Sequence, residues 1–247
     1  MKFFKLTLIT IFLCLNGSSV FAEVSPEVEY IFNTFSFLFC AFAVATMALG
    51  FFLLEAGLVT TRSVTSIAVK NIGKFSIASI VFFLFGYNVM YGVPEGGYIG
   101  IFSVWSDASS IETGYADASD WLFQALFVCA TVSIVSGAVA ERFLIWPFFL
   151  FAAILAGIIY PIVGAATWGG GWLASLGYFD FAGAMIVHGC GGAAALAGVM
   201  LLGPRLGRFN QKGELANLTP FLPSSVPLAM AGTFILFFGF YFFNAGS

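Results

Sequence analysis

Residues Trp168 to Gly192 read WGGGWLASLGYFDFAGAMIVHGCGG. The stretch holds a triple glycine (Gly169, Gly170, Gly171), one acidic residue (Asp180) and the only histidine of the chain (His188). Long apolar runs lie on either side of it. Ionisable groups set among hydrophobic spans are costly, so such a cluster marks a place where function resides.

Composition defines the surroundings. Of 247 residues, 60% are hydrophobic and 9% are charged, with a mean hydropathy of +1.01. A soluble domain carries about 25% charged residues. This chain has too few to coat a water-facing surface, and it reads as an all-α integral membrane protein. With a net charge of −3 and no basic patch, nothing points to a nucleic-acid partner. Cys40, Cys129 and Cys190 sit in apolar spans without metal-ligand spacing and read as buried thiols. No metal and no cofactor are implied. No nucleophile–base pair is visible, which argues against an enzyme.

The first residues have the form of a secretory signal. Lys2 and Lys5 give a basic start, Leu6 to Leu15 an apolar run too short to span, and Val20-Phe21-Ala22 a small-residue cleavage site after Ala22. The mature membrane domain is then 23–247. It contains six apolar runs of spanning length, at about 30–54, 75–91, 121–140, 144–167, 182–202 and 226–247. A cleaved signal places the mature N-terminus outside. Arg62, Lys70, Lys74, Arg142, Arg205, Arg208 and Lys212 then fall in cytoplasmic loops. The outer loop from Val93 to Asp120 carries Glu95, Asp107, Glu112, Asp117 and Asp120 and no Lys or Arg. Both signals give the same multi-pass topology in an inner (plasma) membrane. In the fifth run, Gly191/Ala195 and Ala194/Gly198 are small residues four apart, a spacing that lets helix backbones approach closely. The apolar run that ends at Ser247 has no polar residues after it, which suggests a piece of a longer protein.

Asp180 precedes the fifth span, and its simplest role is an N-cap. His188, eight residues on, falls about 12 Å deeper at 1.5 Å per residue, near mid-membrane. Ionisable groups there usually line a path or relay protons. Trp168 is placed for an interfacial anchor. Phe123 and Phe127 share a face of the third span, and Phe243 and Ser247 a face of the sixth. With 32 Phe in the chain, spacing alone does not single these residues out.

Taken together, FQALF (Phe123–Phe127), SGAVAER (Ser136–Arg142), WGGGWLA from Trp168, DFAG with the following Val-His (Asp180–His188) and FNAGS (Phe243–Ser247) carry a resemblance. In this order and spacing, they resemble the ammonium transporter (Amt/Mep/Rh) family across the whole mature chain. The resemblance implies a bundle of eleven helices in two five-helix halves related by an inverted repeat, with a pore in each subunit of a homotrimer. The six spans would be the first repeat plus the first helix of the inverted second repeat.

By resemblance, Trp168 and Phe123 line an outer ammonium site, Phe127 and Phe243 form a stacked gate, and Ser247 accepts a hydrogen bond from ammonium. Asp180 holds the outer site in shape, and His188 is the first of two pore histidines. The second would lie on a tenth helix, beyond this chain. Glu55, in Leu-Leu-Glu-Ala-Gly, stands where many members have a glycine pair, and no partner for it is visible. The implied function is transmembrane passage of ammonium or ammonia, with ammonium, the lipid bilayer and a cytoplasmic regulatory protein as partners. Two alternatives are an ammonium sensor with a signalling domain following this segment and a neutral gas channel of the Rh type.

Overall fold

The computed structural model describes residues 24–210, 212–216 and 221–247, so the signal sequence read at 1–22 lies outside the described residues. Six helices are long and apolar enough to cross a membrane: α1 (Pro26–Leu58), α2 (Thr61–Tyr91), α3 (Asp117–Ala138), α4 (Ile145–Ala165), α5 (Ala184–Leu202) and α6 (Val226–Gly246). No sheet forms among the described residues. Two helix starts show their sequence causes directly. Ser25 and Ser225 each accept a backbone N–H of the first turn, from Val28 and Leu228, with a proline following in the opening turn.

The central helix is α3, packed against α1, α2 and α5. Its small polar residues satisfy themselves locally: Thr131 donates to the Phe127 carbonyl at 3.1 Å and Ser133 to the Cys129 carbonyl at 2.7 Å. They therefore place no unpaired hydroxyl in the core. α1 and α6 form the most extensive helix pair. They cross through Gly50 and Gly57 on one side and Gly232 on the other. A Cβ on Gly57 would run into the Ala229 backbone nitrogen, and one on Gly232 into the backbone at Leu54 and Gly50. Such contact between helix backbones is available only where side chains are absent. α5 rests on α3 in the same manner: a Cβ on Gly191 would sit 3.0 Å from the Thr131 carbonyl oxygen.

The structure corrects the extent of the second span. From sequence, Lys70 and Lys74 belong in a loop before Phe75. Instead residues 61–91 form one helix, and both lysines lie inside it, buried. Their charges are accommodated by Glu55 of α1, whose carboxylate is 2.8 Å from Lys74 Nζ and 3.3 Å from Lys70 Nζ. Ser136 Oγ donates to the same carboxylate at 2.8 Å, and Lys70 donates to the Ser136 carbonyl at 2.9 Å. The partner of Glu55 is thus a pair of lysines one helix away. The ends of the bundle differ in charge. Arg62, Arg142, Arg205, Arg208 and Lys212 fall at one end, where Glu141 accepts hydrogen bonds from Thr60 and is paired with Arg205 at 2.6 Å. The other, acidic end carries the 92–116 connection and the Trp168–Gly183 segment.

Candidate functional site

The site is built on the irregular start of α5. Gly183 adopts φ +85°, a left-handed conformation that glycine takes without strain, and a Cβ there would lie 3.0 Å from the Trp168 ring. The helix therefore begins at Ala184, not at Ala182, and it begins with a π-helical turn, Ala184–Gly189. The His188 N–H bonds to the Gly183 carbonyl at 3.1 Å, five residues back. From the first helical residue, His188 is about one turn deep at 1.5 Å per residue, rather than the two turns expected from Asp180. π-bulges of this kind re-aim a side chain and recur at functional sites.

Asp180 initiates this helix. Its Oδ1 accepts the Gly183 and Ala184 N–H groups, and its Oδ2 accepts those of Met185 and Ile186, all at 2.9 Å. Four free N–H groups open every helix, and here one carboxylate takes four. The same residue holds Trp168, whose Nε1–H donates to the Asp180 carbonyl at 2.6 Å.

Trp168 forms one wall of a cavity of about 260 Å³ at the acidic end. α3 contributes Phe123 and Phe127, with ring centroids 4.6 Å apart, and Phe127 lies 6.0 Å from Trp168. α6 contributes Ser247 at the rim. The Ser247 hydroxyl donates to the Phe243 carbonyl at 2.7 Å, so its lone pairs are left as acceptors. Phe243 lies one turn below Ser247, and its ring stacks on Phe127 at 3.7 Å and 4°. Both rings are buried, with 1% exposure or less.

His188 lies beyond that pair. Its ring is 5.7 Å from Phe243 and 5.4 Å from Phe240, which is deeper on α6, and it does not line the cavity. Nδ1 lies 3.2 Å from the Gly183 carbonyl oxygen. A carbonyl can only accept, so this contact assigns the proton of the neutral ring to Nδ1 and leaves Nε2 as an acceptor.

The structure thus brings Trp168, Phe123, Phe127, Ser247 and Asp180 around one cavity, with Phe243 stacked on Phe127 and His188 behind that pair. The same cavity is lined by residues that the sequence does not single out: Phe37, Tyr91, Asp120, Gln124, Phe179 and Phe181. Asp120 and Gln124 have a partial signal in DWLFQALF: Asp120 falls three and seven residues before Phe123 and Phe127, and Gln124 three residues before Phe127. Among the described residues no group of His, Cys, Asp and Glu is arranged to hold a metal.

Known proteins share this sequence pattern and fold. Residues 35–247 match the model of the Ammonium Transporter Family. Ammonium transporter Amt2 of Haloferax mediterranei is 40% identical over 236 residues, covering 92% of this chain and 50% of that protein. Ammonium transporter Amt2 of Archaeoglobus fulgidus is 36% identical over 249 residues, covering 94% and 50%. The solved structure of a "Sensor Amt Protein" superposes with a TM-score of 0.81 at 34% identity, covering 90% of this chain and 56% of that one. The chain spans about half the length of the curated relatives it matches. It belongs to the Ammonium Transporter Family.

Proposed function

We propose that this chain forms the outer site and one pore wall of a protein that passes ammonium, as ammonia, across a membrane. The observation that carries this reading is the stacked Phe127–Phe243 pair, which separates the Trp168 cavity from His188. Moving a bare ammonium-sized ion into low dielectric costs on the order of 20 kcal/mol in the idealised limit. A cation–π contact returns about 2 kcal/mol at best, so Trp168, Phe123 and Phe127 together return roughly 6. The cavity can select and partly dehydrate the cation but cannot carry it through the apolar floor. Ammonium therefore gives its proton to water of the outer solvent at the cavity mouth, leaving ammonia and hydronium, and neutral ammonia passes the rings and meets Nε2 of His188. The basic end faces the cytoplasm and the mature N-terminus faces out. The complete subunit assembles as a homotrimer in the inner membrane.

The experiment is ammonium-evoked current and methylammonium uptake for the wild type and for His188→Ala, in the protein expressed from its complete reading frame. Loss or alteration of either is expected. Unchanged current and uptake would remove His188 from the mechanism. A second reading, ammonium sensing, is favoured by the structural relative named as a sensor. A signalling domain after the membrane domain in the complete reading frame, with no uptake by the wild type, would select it.

A further inference from the structure

At the basic end, the connection from α5 to α6 opens with Pro-Arg-Leu-Gly-Arg, Pro204–Arg208. The Arg208 N–H donates to the Arg205 carbonyl at 3.0 Å, and Gly207 between them adopts φ +80°. A four-residue turn with a left-handed third position is one that glycine permits, and it draws the first and last residues together. Here both are arginines. The chain then doubles back: the Ala216 N–H donates to the Arg208 carbonyl at 3.1 Å, and Phe209 pairs with Leu215. The backbone of Arg208 is thus tied at both its N–H and its carbonyl.

A cavity of about 280 Å³ lies here, lined by Arg142, Pro204, Arg205, Arg208 and Phe221. Its three arginines are half-buried, although arginine is mostly exposed. Their guanidinium groups are not equally spent. Arg142 donates to the carbonyls of Ala138 and Gly203, where α3 and α5 end, and offsets the negative ends of those helices. Arg205 is paired with Glu141, whose other oxygen is taken by Thr60. Arg208 lies over the Phe221 ring at 5.5 Å and, among the described residues, meets no carboxylate within 4.0 Å. Residues 217–220, Asn-Leu-Thr-Pro, carry no acid. One recess therefore gathers three cations against a single acid that is already engaged. A concave surface lined by one sign of charge concentrates ions of the other.

We propose that this recess binds a phosphate group, with Arg205 and Arg208 as the gripping pair and Arg142 as the fixed side of the site. Guanidinium forks match phosphate oxygens two at a time, and oxygens disposed as a tetrahedron can meet arginines converging from separate elements. Pro204 and Phe221 form an apolar wall for the remainder of a phosphate ester. Pockets for drug-sized molecules run to about 300–1,000 Å³. The recess is smaller, and it suits a phosphate ion or a small ester headgroup rather than a nucleotide. The group is either dissolved or carried on a lipid, since both present the same oxygens. Arg142 follows α3 and Arg205 and Arg208 follow α5, so a bound phosphate bridges the ends of two helices. The site lies at the opposite end of the bundle from the Trp168 cavity and is independent of the transport reading.

The test is isothermal titration of inorganic phosphate into the detergent-purified protein expressed from its complete reading frame, against chloride at matched ionic strength. Saturable binding is expected for phosphate and not for chloride. Arg208→Gln is expected to weaken it about tenfold, the size of one lost hydrogen bond to a charged group. Arg208→Lys keeps the charge without the fork and is expected to weaken it about threefold. A second arm compares unfolding midpoints in phosphatidylcholine discs with and without phosphatidylglycerol. Phosphate binding that Arg208→Gln loses assigns a dissolved source. A midpoint raised by phosphatidylglycerol and lost in Arg208→Gln, without binding of free phosphate, assigns a lipid headgroup. Absence of both responses in the wild type overturns the proposal, and so does a response that Arg208→Gln retains in full. If Arg208→Gln does not accumulate, Arg208→Lys decides, and a response equal to that of the wild type overturns the proposal.

Discussion

The rings of Phe127 and Phe243 lie face to face, 3.7 Å between centroids and 4° from parallel, with the aromatic cavity on one side and His188 on the other. They come from two different helices, α3 and α6, so each ring is fixed by its own backbone.

Removing one ring should loosen both the fold and the filter. Phe243→Ala is expected to cost about 3–5 kcal/mol, as for other fully buried Phe→Ala changes. It should also raise uptake of dimethylammonium relative to methylammonium, because a gap replaces the stack. Thermal unfolding in detergent and competitive uptake of the two amines check the two halves. An unchanged ratio would show that the pair does not set the width of the path.

Asp180→Asn tests the cap. An asparagine has one acceptor oxygen, and its NH2 would face backbone N–H groups that the carboxylate now accepts. A loss of about 2–3 kcal/mol is expected, at the upper end for a cap because several charge-assisted bonds are removed together. The Trp168 indole, tied to the Asp180 carbonyl, should become more exposed in the same variant, which fluorescence quenching would read.

The buried Glu55–Lys74–Lys70 cluster makes a sharper prediction. Glu55→Gln leaves two ammonium groups buried with no counter-charge, and a loss of about 3–5 kcal/mol is expected. Adding Lys74→Met should recover part of that loss, because it removes one of the stranded charges. A double-mutant cycle on unfolding midpoints measures the coupling, and simple additivity would contradict the pairing.

Glu141 governs the acid response of the basic end. Burial opposes its ionisation, but hydrogen bonds from Thr60 and Ser63 and the charge of Arg205 prevail, so its pKa lies below the usual 4.5. A depressed carboxylate stabilises the fold above its unfolded pKa, and this contribution is lost as pH falls through the folded value. Wild-type stability should therefore drop below about pH 4.5 more steeply than that of Glu141→Gln. Parallel unfolding profiles against pH for the two proteins check this, and profiles of equal slope would contradict it.

Much of this is legible in the sequence, and for identifiable reasons. The spans follow from long apolar runs, and the charge asymmetry of the ends follows from where Arg142, Arg205 and Arg208 fall. The cavity rings are legible only through ordered motifs, since 32 phenylalanines give spacing no discriminating power. Lys70 and Lys74 read as loop residues because a charge inside an apolar stretch looks like a loop unless its partner is known, and Glu55 lies 19 residues before Lys74. The π-turn at His188 is hidden because it depends on Gly183 packing beneath Trp168, a tertiary contact. Asp120 has only its spacing to Phe123 and Phe127 as a signal, because an acid at a helix start otherwise reads as a solvated end, and the cavity shows what it faces.

The glycine crossing of α1 and α6 has a mechanical meaning. Where the two backbones touch, at Gly57 and Gly232, no side chain lies between them to yield, and the contact resists sliding and tilting. Phe243 is mounted on one of these two helices. Its ring is therefore bolted to a rigid frame, and a change in its position calls for rotation about its own side-chain bonds rather than a shift of the α1–α6 pair.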